Sequence, residues 1–348
     1  MFKKFISLLF YAIFCFSAIC EAQIGGKGVF RFLNLPNSAK VAALGNGFPV
    51  ANDAEFNQTF ANPSLINASH QNATSLNYSN YISDINFGSA QYGLKFKEKE
   101  TISLGLMFIN YGNFEEYTEI GNPTGGNFTA GDYLLNVGYA KNWKEKIYYG
   151  ANAKIIYGSY DIYNSFAIAT DLAVTYKDSS SNIATGILLK NIGYQLSAFD
   201  QSRENLPFQM AFSFSQKLRY APFKYHITYN NLQQFNLSNS NPNANEDIDL
   251  VGGETKNNKN SFVNKFSQHF IFGAEILLSQ SFNLQAGYNL QQSRELSISG
   301  LGGLSGFSFG FSLHLEKLSL SYAHSTLNLA GSNNYFSLGL NPSFLRFK

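Results

Sequence analysis

The histidines are the first residues in this sequence that could catalyse a reaction or bind a metal. They are His70, His226, His269, His314 and His324. No spacing among them brings two onto one face together with a carboxylate, as a metal site or a catalytic pair would require. The sequence also contains no G-x-S-x-G motif or other nucleophile motif. We therefore expect no cofactor, no metal and no enzymatic activity.

A glycine-rich run near the N-terminus, Gly25-Gly26-Lys27-Gly28, invites comparison with a phosphate-binding loop. The run lacks the glycine-lysine-serine/threonine group that such a loop needs, and no strand precedes it. We interpret it as flexible chain. With a formal net charge of +2, the sequence also gives no reason to expect nucleic acid as a partner.

Four charged residues stand among small or polar neighbours on one face of otherwise apolar, alternating segments. They are Lys154, Asp171, Lys190 and Glu275. The first three fall on consecutive predicted strands, so they would form a charged ladder. Two interpretations remain open, a selective polar path and a structural network that ties the strands to another segment.

The elements that carry these charges are recognisable by a strict period of two. In FSFGFSLHL, every odd position from Phe307 to Leu315 is large and apolar, and every even position is Ser, Gly or His. Such alternation indicates strands with two different faces. The sequence predicts about fourteen strands, at roughly 74–83, 85–96, 100–110, 131–142, 146–158, 166–177, 181–191, 206–217, 222–231, 267–278, 281–291, 305–314, 316–325 and 333–342.

The first 22 residues have the features of a secretory signal peptide. Lys3 and Lys4 precede an apolar run from Phe5 to Ile19, and the small residue Ala22 marks a cleavage site. The run is shorter than the ~20 residues that a membrane-spanning helix needs. Both cysteines, Cys15 and Cys20, lie within this leader, so the exported chain would contain none.

The predicted connections alternate in length along most of the chain. Tight turns are predicted near residues 97–99, 143–145, 178–180, 218–221, 279–280 and 315, with longer polar loops between them, including 111–130, 159–165 and 232–266. Outer-membrane barrels have this asymmetry, and their apolar face meets lipid while the polar face lines the lumen. We therefore predict an all-β transmembrane antiparallel barrel over residues 74–348, located in the outer membrane.

Residues 23–73 do not alternate and are too apolar for a free tail. Their two most distinctive stretches are GGKGVFRFLNLPNSAKVAALGNG and VANDAEFNQTFANPSLINAS. Ser38 after Pro36 is placed to cap a short helix that ends at Gly45 or Gly47. We predict a hatch or plug packed in the lumen.

The first of these stretches resembles the N-terminal signature of the PorQ family of outer-membrane proteins of the type IX secretion system. Asp53 and the run Asn62-Pro63-Ser64-Leu65 resemble the broader FadL-like pattern, in which a hatch precedes a fourteen-stranded barrel. The residues that carry the resemblance are Gly25, Gly26, Phe30, Phe32, Leu33, Pro36, Ala43, Leu44, Gly45, Asp53, Asn62 and Pro63. It covers about the first fifth of the mature chain.

The resemblance implies a non-enzymatic role in presenting secreted cargo. Members of the PorQ family anchor PorZ, a surface protein that works with the PorU sortase and the PorV shuttle barrel. The alternative is a FadL-like channel for hydrophobic compounds, whose hatch moves. We expect a partner to dock on the loop at 111–130 or on the loop at 232–266, which carries four acidic residues: Glu246, Asp247, Asp249 and Glu254.

Overall fold

The computed structural model describes residues 28–51, 53, 55–81, 85–97, 100–118, 120–237, 262–296, 304–328 and 331–340. These residues form fourteen strands, as the alternation predicts. The strands are β1 (Thr74–Asn80), β2 (Asn86–Lys97), β3 (Glu100–Tyr117), β4 (Pro123–Trp143), β5 (Ile147–Tyr160), β6 (Tyr163–Asp178), β7 (Ile183–Ser197), β8 (Gln209–Lys217), β9 (Phe223–Tyr229), β10 (Phe270–Leu277), β11 (Phe282–Asn289), β12 (Phe307–His314), β13 (Leu318–Asn328) and β14 (Gly331–Leu340).

The sheet closes into a barrel. Each strand is antiparallel to the next, and β14 pairs with β1 in a register that runs from Thr74↔Leu340 to Asn80↔Asn334. Closure leaves no edge strand on which another sheet could grow. The predicted fold class, a fourteen-stranded antiparallel barrel, is confirmed.

The two faces of the wall are the inverse of those in a water-soluble protein. On β12, Phe307, Phe309 and Phe311 are exposed on the outside, whereas Ser308 and Ser312 are buried on the inside. The same arrangement recurs around the barrel, with exposed Leu, Ile, Phe, Tyr and Val side chains on the exterior of successive strands. An apolar exterior around a largely polar lumen is the pattern of outer-membrane barrels.

The connections define two ends of the barrel, which we call the short-turn end and the long-loop end. Strands β2–β3, β4–β5, β6–β7, β8–β9, β10–β11 and β12–β13 meet at the short-turn end. Two predicted long loops are wrong. Most of 111–130 continues β3 and β4 as a paired hairpin, and most of 159–165 belongs to β5 and β6, which leaves a turn of two residues, Asp161 and Ile162.

Helices are few and short in the part of the chain that the structure describes. They are α1 (Ala39–Ala43), α2 (Phe262–Ser267) and α3 (Leu290–Leu296), with 3₁₀ turns at Arg31–Asn34, Phe56–Gln58, Pro63–Leu65 and Ala68–His70. Within the described ranges, no helix combines the length and apolar character needed to cross a bilayer.

Candidate functional site

The described residues between 28 and 73 pack against the inner wall of the barrel, and they divide into two parts with different surroundings. We call residues 28–36 the head segment and residues 37–73 the base segment. The head segment begins at the long-loop end, where the Val29 amide donates a hydrogen bond to the carbonyl oxygen of Asn205 over 3.2 Å. The base segment leads to β1 at the short-turn end.

The head segment buries three large apolar side chains. Phe30 has a left-handed backbone conformation (φ 56°), and the 3₁₀ turn at Arg31–Asn34 follows it. This geometry directs Phe30, Phe32 and Leu33 inward, and each is only 3% exposed. Phe30 also lies beside Phe199 of the β7–β8 connection, with ring centroids 5.8 Å apart.

The wall around these side chains is apolar, which is unusual for a barrel lumen. Inward-facing residues of four adjacent strands, β2 to β5, form a cavity lining that we call the head pocket. They are Phe87, Met107, Ile109, Leu134 and Ile156, all buried in one cluster with the head segment and with Phe60 of the base segment. The head segment and Phe60 together fill this pocket.

A buried carboxylate lies at the top of the head pocket. Asp132 is 0% exposed and accepts hydrogen bonds from the hydroxyls of Tyr111 (2.8 Å to Oδ2) and Tyr160 (2.8 Å to Oδ1 and 2.9 Å to Oδ2). Phe199 packs on Tyr160, with centroids 4.6 Å apart. Within the described part of the chain, no cationic side chain lies within 4 Å of this carboxylate.

An ion pair lies below the apolar layer. The register places Asp132 opposite Gly158, then Leu134 opposite Ile156, then Asn136 opposite Lys154, so the wall changes from acidic to apolar to ionic. Lys154 Nζ lies 2.6 Å from Asp171 Oδ2 and donates to Asn191 Oδ1 over 2.8 Å.

Lys190, the third member of the predicted ladder, does not join this pair. The β6–β7 register shifts between Thr170 and Leu172, so Asn191 takes the position beside Asp171 and donates its backbone amide to Oδ1 over 2.8 Å. Asn191 also donates its side-chain amide to Asn34 of the head segment over 3.0 Å. Lys190 lines a small cavity of about 40 Å³ between β7 and the two segments.

The base segment contains α1, whose start follows the expected chemistry. The Ser38 hydroxyl accepts a hydrogen bond from the Val41 amide, and Gly45, just after the helix, has φ +84°. Ala39 and Ala43 are fully buried in a cluster with Ala323 and Tyr335 of β13 and β14. Small side chains let α1 lie close to the wall.

The motif Asn62-Pro63 anchors the base segment near the short-turn end. Asn62 is fully buried, and its side chain donates to the Pro49 carbonyl (2.7 Å) and to Thr175 Oγ1 (3.2 Å), while its Oδ1 accepts from the Ser64 amide (3.0 Å). Pro63 packs against Gly150 so closely that a Cβ there would lie 2.5 Å from the Pro63 carbonyl carbon. Asn62 therefore connects two parts of the base segment to each other and to β6 through hydrogen bonds.

An ionic cluster joins the base segment to β9, β10 and β12. It consists of Lys40, Asp53, Glu55, Lys224, His226, Glu275 and His314. Glu275 is 0% exposed and lies 3.3 Å from Lys40, 3.4 Å from Lys224 and 2.7 Å from His226. Asp53 lies 2.8 Å from Lys224. Several charges in contact form a network, and removing one partner of a buried network is costly.

The charges of the base segment are strongly stabilised. Burial alone would lower the pKa of Lys40, but the carboxylates of Glu275, Glu55 and Asp53 outweigh burial and raise this pKa above its usual range. Burial alone would raise the pKa of Glu55, but the Lys40 ammonium and the hydrogen bond from His314 lower it to about 2. Both groups are therefore charged at neutral pH.

Two cavities flank the buried segments. One of about 190 Å³ lies beside Leu35 and Pro36, where the head segment joins the base segment, and Tyr335 also lines it. Another of about 250 Å³ lies at the short-turn end beside Glu55 and His314. Both are smaller than the ~300–1,000 Å³ typical of small-molecule sites.

Some predicted site residues lie outside the described residues. These are Gly25, Gly26, Glu246, Asp247, Asp249 and Glu254. In the described ranges, no three His, Cys, Asp or Glu side chains form a group that could hold a metal ion.

Sequence reasoning did not single out Asp132 or the partners of Glu275. The alternation that predicts an inward-facing Lys154 on β5 also predicts an inward-facing Asp132 on β4. The two residues lie on neighbouring strands, at different heights along the barrel. Lys224 alternates with Phe223 and Tyr225 on β9 and so carries the same signal. Lys40 and Glu55 gave no comparable signal, because their meeting with Glu275 depends on the path of the base segment.

The fold defines a class, a closed fourteen-stranded antiparallel barrel of the outer-membrane type. No family model matches the sequence, and no curated protein matches it. Solved structures with a similar fold include the toluene transporter TbuX of Ralstonia pickettii, at 10% identity over 90% of this chain and 100% of that one, with a TM-score of 0.49. A FadL homologue of Pseudomonas aeruginosa is 9% identical over 91% of this chain and 100% of that one (TM-score 0.47), and the toluene transporter TodX of Pseudomonas putida is 10% identical over 87% and 96% (TM-score 0.46).

Proposed function

We propose that this protein is an outer-membrane channel for hydrophobic compounds and that the head segment is its gate. The observation that carries the proposal is the head pocket, an apolar compartment in the lumen that is filled by side chains of the chain's own N-terminal region. A lumen that only conducted water and ions would be polar. Apolar walls favour a hydrophobic compound, because the compound gains free energy when it moves from water into the pocket.

The way the two segments are held supports a moving head and a fixed base. Packing of Phe30, Phe32 and Leu33 holds the head segment, and an apolar ligand would replace those contacts with equivalent ones. The ionic cluster holds the base segment, and an apolar ligand offers nothing to replace ion pairs. The cavity beside Leu35 and Pro36 gives the junction room to bend.

A disulfide lock tests the proposal. Val29→Cys and Asn205→Cys would join the head segment to the β7–β8 connection at residues already linked by a backbone hydrogen bond. The only other cysteines lie in the predicted leader, so the new pair would stand alone in the mature chain. We expect uptake of labelled butylbenzene by intact cells to fall at least about tenfold when the lock is closed and to recover on reduction.

A second lock provides the control. Ala43→Cys and Ser308→Cys would tie α1 to β12, where the Ser308 hydroxyl donates to the Ala43 carbonyl over 2.9 Å. Uptake should be unchanged by this lock, because the base segment does not move. Uptake that is insensitive to both locks, or no uptake by the unlocked protein, would contradict the proposal.

A second candidate function is anchoring of a surface protein, as the sequence resemblance to the PorQ family implies. The β3–β4 hairpin favours it, because strands of 18 and 21 residues exceed the ~9–11 residues that span a bilayer. The hairpin carries Tyr117 and Ile120, 59% and 83% exposed, near its tip.

Copurification distinguishes the two functions. A PorZ-like protein recovered in near-equal amount from the native outer membrane, and lost when residues 114–128 are replaced by a tight turn, would establish anchoring. Recovery of a barrel alone, folded and without partner, would remove this candidate.

A further inference from the structure

The head pocket contains one feature that binding of a purely apolar compound does not explain. Asp132 is a fully buried carboxylate at the edge of an apolar compartment, and its hydrogen-bond donors are two neutral tyrosine hydroxyls. A buried charge without a charged partner costs free energy that a partner of opposite sign recovers. The barrel wall could carry Asn or Ser here without that cost.

The carboxylate also has acceptor capacity to spare. Two carboxylate oxygens offer about four acceptor sites. Tyr111 and Tyr160 each have one hydroxyl proton, so they fill only about half of these sites. A further donor could bind without displacing either tyrosine.

Asp132 borders the volume that the Phe30 ring occupies. A Cβ built on Gly158 would lie 2.6 Å from Asp132 Oδ1 and 2.7 Å from both the Phe30 and Phe199 rings. The absence of a side chain at Gly158 therefore keeps the carboxylate and the Phe30 ring in one space. When the head segment leaves, a ligand in the place of Phe30 would border on Asp132.

Among the described residues, the rest of the pocket contains no group that would favour an anion. The nearest lysine along the wall, Lys154, lies one level below the apolar layer and is neutralised by Asp171. Arg31 of the head segment and Arg203 of the β7–β8 connection are exposed. A carboxylate-bearing ligand such as a fatty acid would meet repulsion from Asp132.

We propose that the head pocket selects hydrophobic compounds that carry a positively charged amine, which Asp132, Tyr111 and Tyr160 bind while the apolar part replaces Phe30. This inference rests on the proposed channel function and deepens it by naming the substrate class. It separates hydrophobic amines from hydrocarbons, which gain only the apolar contacts, and from carboxylates, which are repelled.

A matched ligand series tests the inference on the full chain in detergent by calorimetric titration at pH 7. The three probes are para-butylbenzylamine (cation), butylbenzene (neutral) and para-butylbenzoate (anion). We expect the amine to bind about tenfold more tightly than butylbenzene and the benzoate to bind most weakly. This series uses the unchanged protein, so it does not depend on a variant folding.

Asp132→Asn removes the charge and keeps the shape. We expect it to weaken amine binding about tenfold and to leave butylbenzene binding within about twofold. Asp161→Asn is the matched control, because Asp161 is exposed at the same end of the barrel and its φ of 53° suits Asn. It should leave all three affinities unchanged.

The outcomes separate this inference from the channel function. Butylbenzene binding with no preference for the amine, or equal loss of amine affinity in both variants, would overturn the inference and leave the channel intact. Tighter binding of the benzoate would overturn it as well. No binding of any probe would contradict both.

Discussion

The head and base segments fill neighbouring parts of one lumen by opposite means. The head segment inserts Phe30, Phe32 and Leu33 into a pocket of apolar wall residues. The base segment is joined to the wall by Lys40, Glu55 and their partners. Apolar contacts are non-directional and exchangeable, whereas buried ion pairs demand a fixed geometry.

Under the proposed channel function, this difference gives the two segments different roles. A gate must leave its place at low cost when a ligand offers substitute contacts, and the head segment meets that condition. A plug that keeps the barrel closed must stay in place, and the ion pairs of the base segment satisfy that condition. The predictions below alter one side of the comparison at a time and run from the largest expected effect to the smallest.

Lys40→Met should release the base segment. It removes the cation that lies 2.8 Å from Glu55 and 3.3 Å from the fully buried Glu275, which should cost about 4 kcal/mol of attachment. The readout is hydrogen exchange of the α1 amides, which should lose protection while the amides of residues 29–35 keep theirs. Unchanged protection at α1 would mean that packing of Ala39 and Ala43 alone holds this helix.

Acid should weaken the base segment through Glu55. The pKa of Glu55 is about 2 in the folded chain and 4.5 ordinarily, so its ion pairs stabilise the fold above pH 4.5. That contribution, about 3 kcal/mol, is lost as the pH falls from about 4.5 towards 2. Exchange protection of residues 37–66 should therefore be constant between pH 7 and pH 5 and decline below pH 4. A decline already between pH 7 and pH 5 would contradict the assignment of the acid sensitivity to Glu55.

Leu33→Ala should loosen the head segment alone. Leu33 is 3% exposed, and truncating a buried leucine costs at least about 2 kcal/mol. Because the head is then easier to displace, the initial rate of butylbenzene uptake should rise several-fold. Leu106→Ala, on the outer face of β3, is the control and should leave uptake unchanged. A lower uptake rate in Leu33→Ala would contradict the gate.

Lys146→Met should have almost no effect. Its ion pair with Asp178 spans 3.0 Å, as short as the buried pairs, but Lys146 is exposed at the short-turn end. An exposed pair contributes roughly 0–1 kcal/mol. Thermal unfolding of this variant should match that of the unaltered protein. If Lys146→Met and Lys40→Met lowered the unfolding temperature equally in this measurement, burial would not be what distinguishes the ionic cluster.

The barrel could be predicted from the sequence because each strand repeats the same two-residue pattern. The hairpin beyond Tyr111 escaped prediction for the same reason. Past the bilayer neither face is buried, so residues such as Asn113, Glu115 and Thr129 are polar without period and read as a loop, although their strands stay paired.

The site was predictable only as far as strand alternation reaches. Alternation places Lys154, Asp171 and Glu275 on one face of their strands. It does not reveal that a register shift puts Asn191 in place of Lys190 beside Asp171. Nor does it reveal which segment residue meets Glu275, because Lys40 is 235 positions away and the path of the base segment decides the contact.

Hydrogen exchange with and without ligand tests the central claim most directly. The full-length protein in lipid would be labelled alone and with saturating butylbenzene, and the amides of residues 29–35 would be compared with those of residues 38–66. The account predicts faster exchange in the head segment on ligand binding and no change in the base segment. Faster exchange throughout residues 29–66, or none anywhere while butylbenzene binds, would contradict a lumen divided into a movable head and a fixed base.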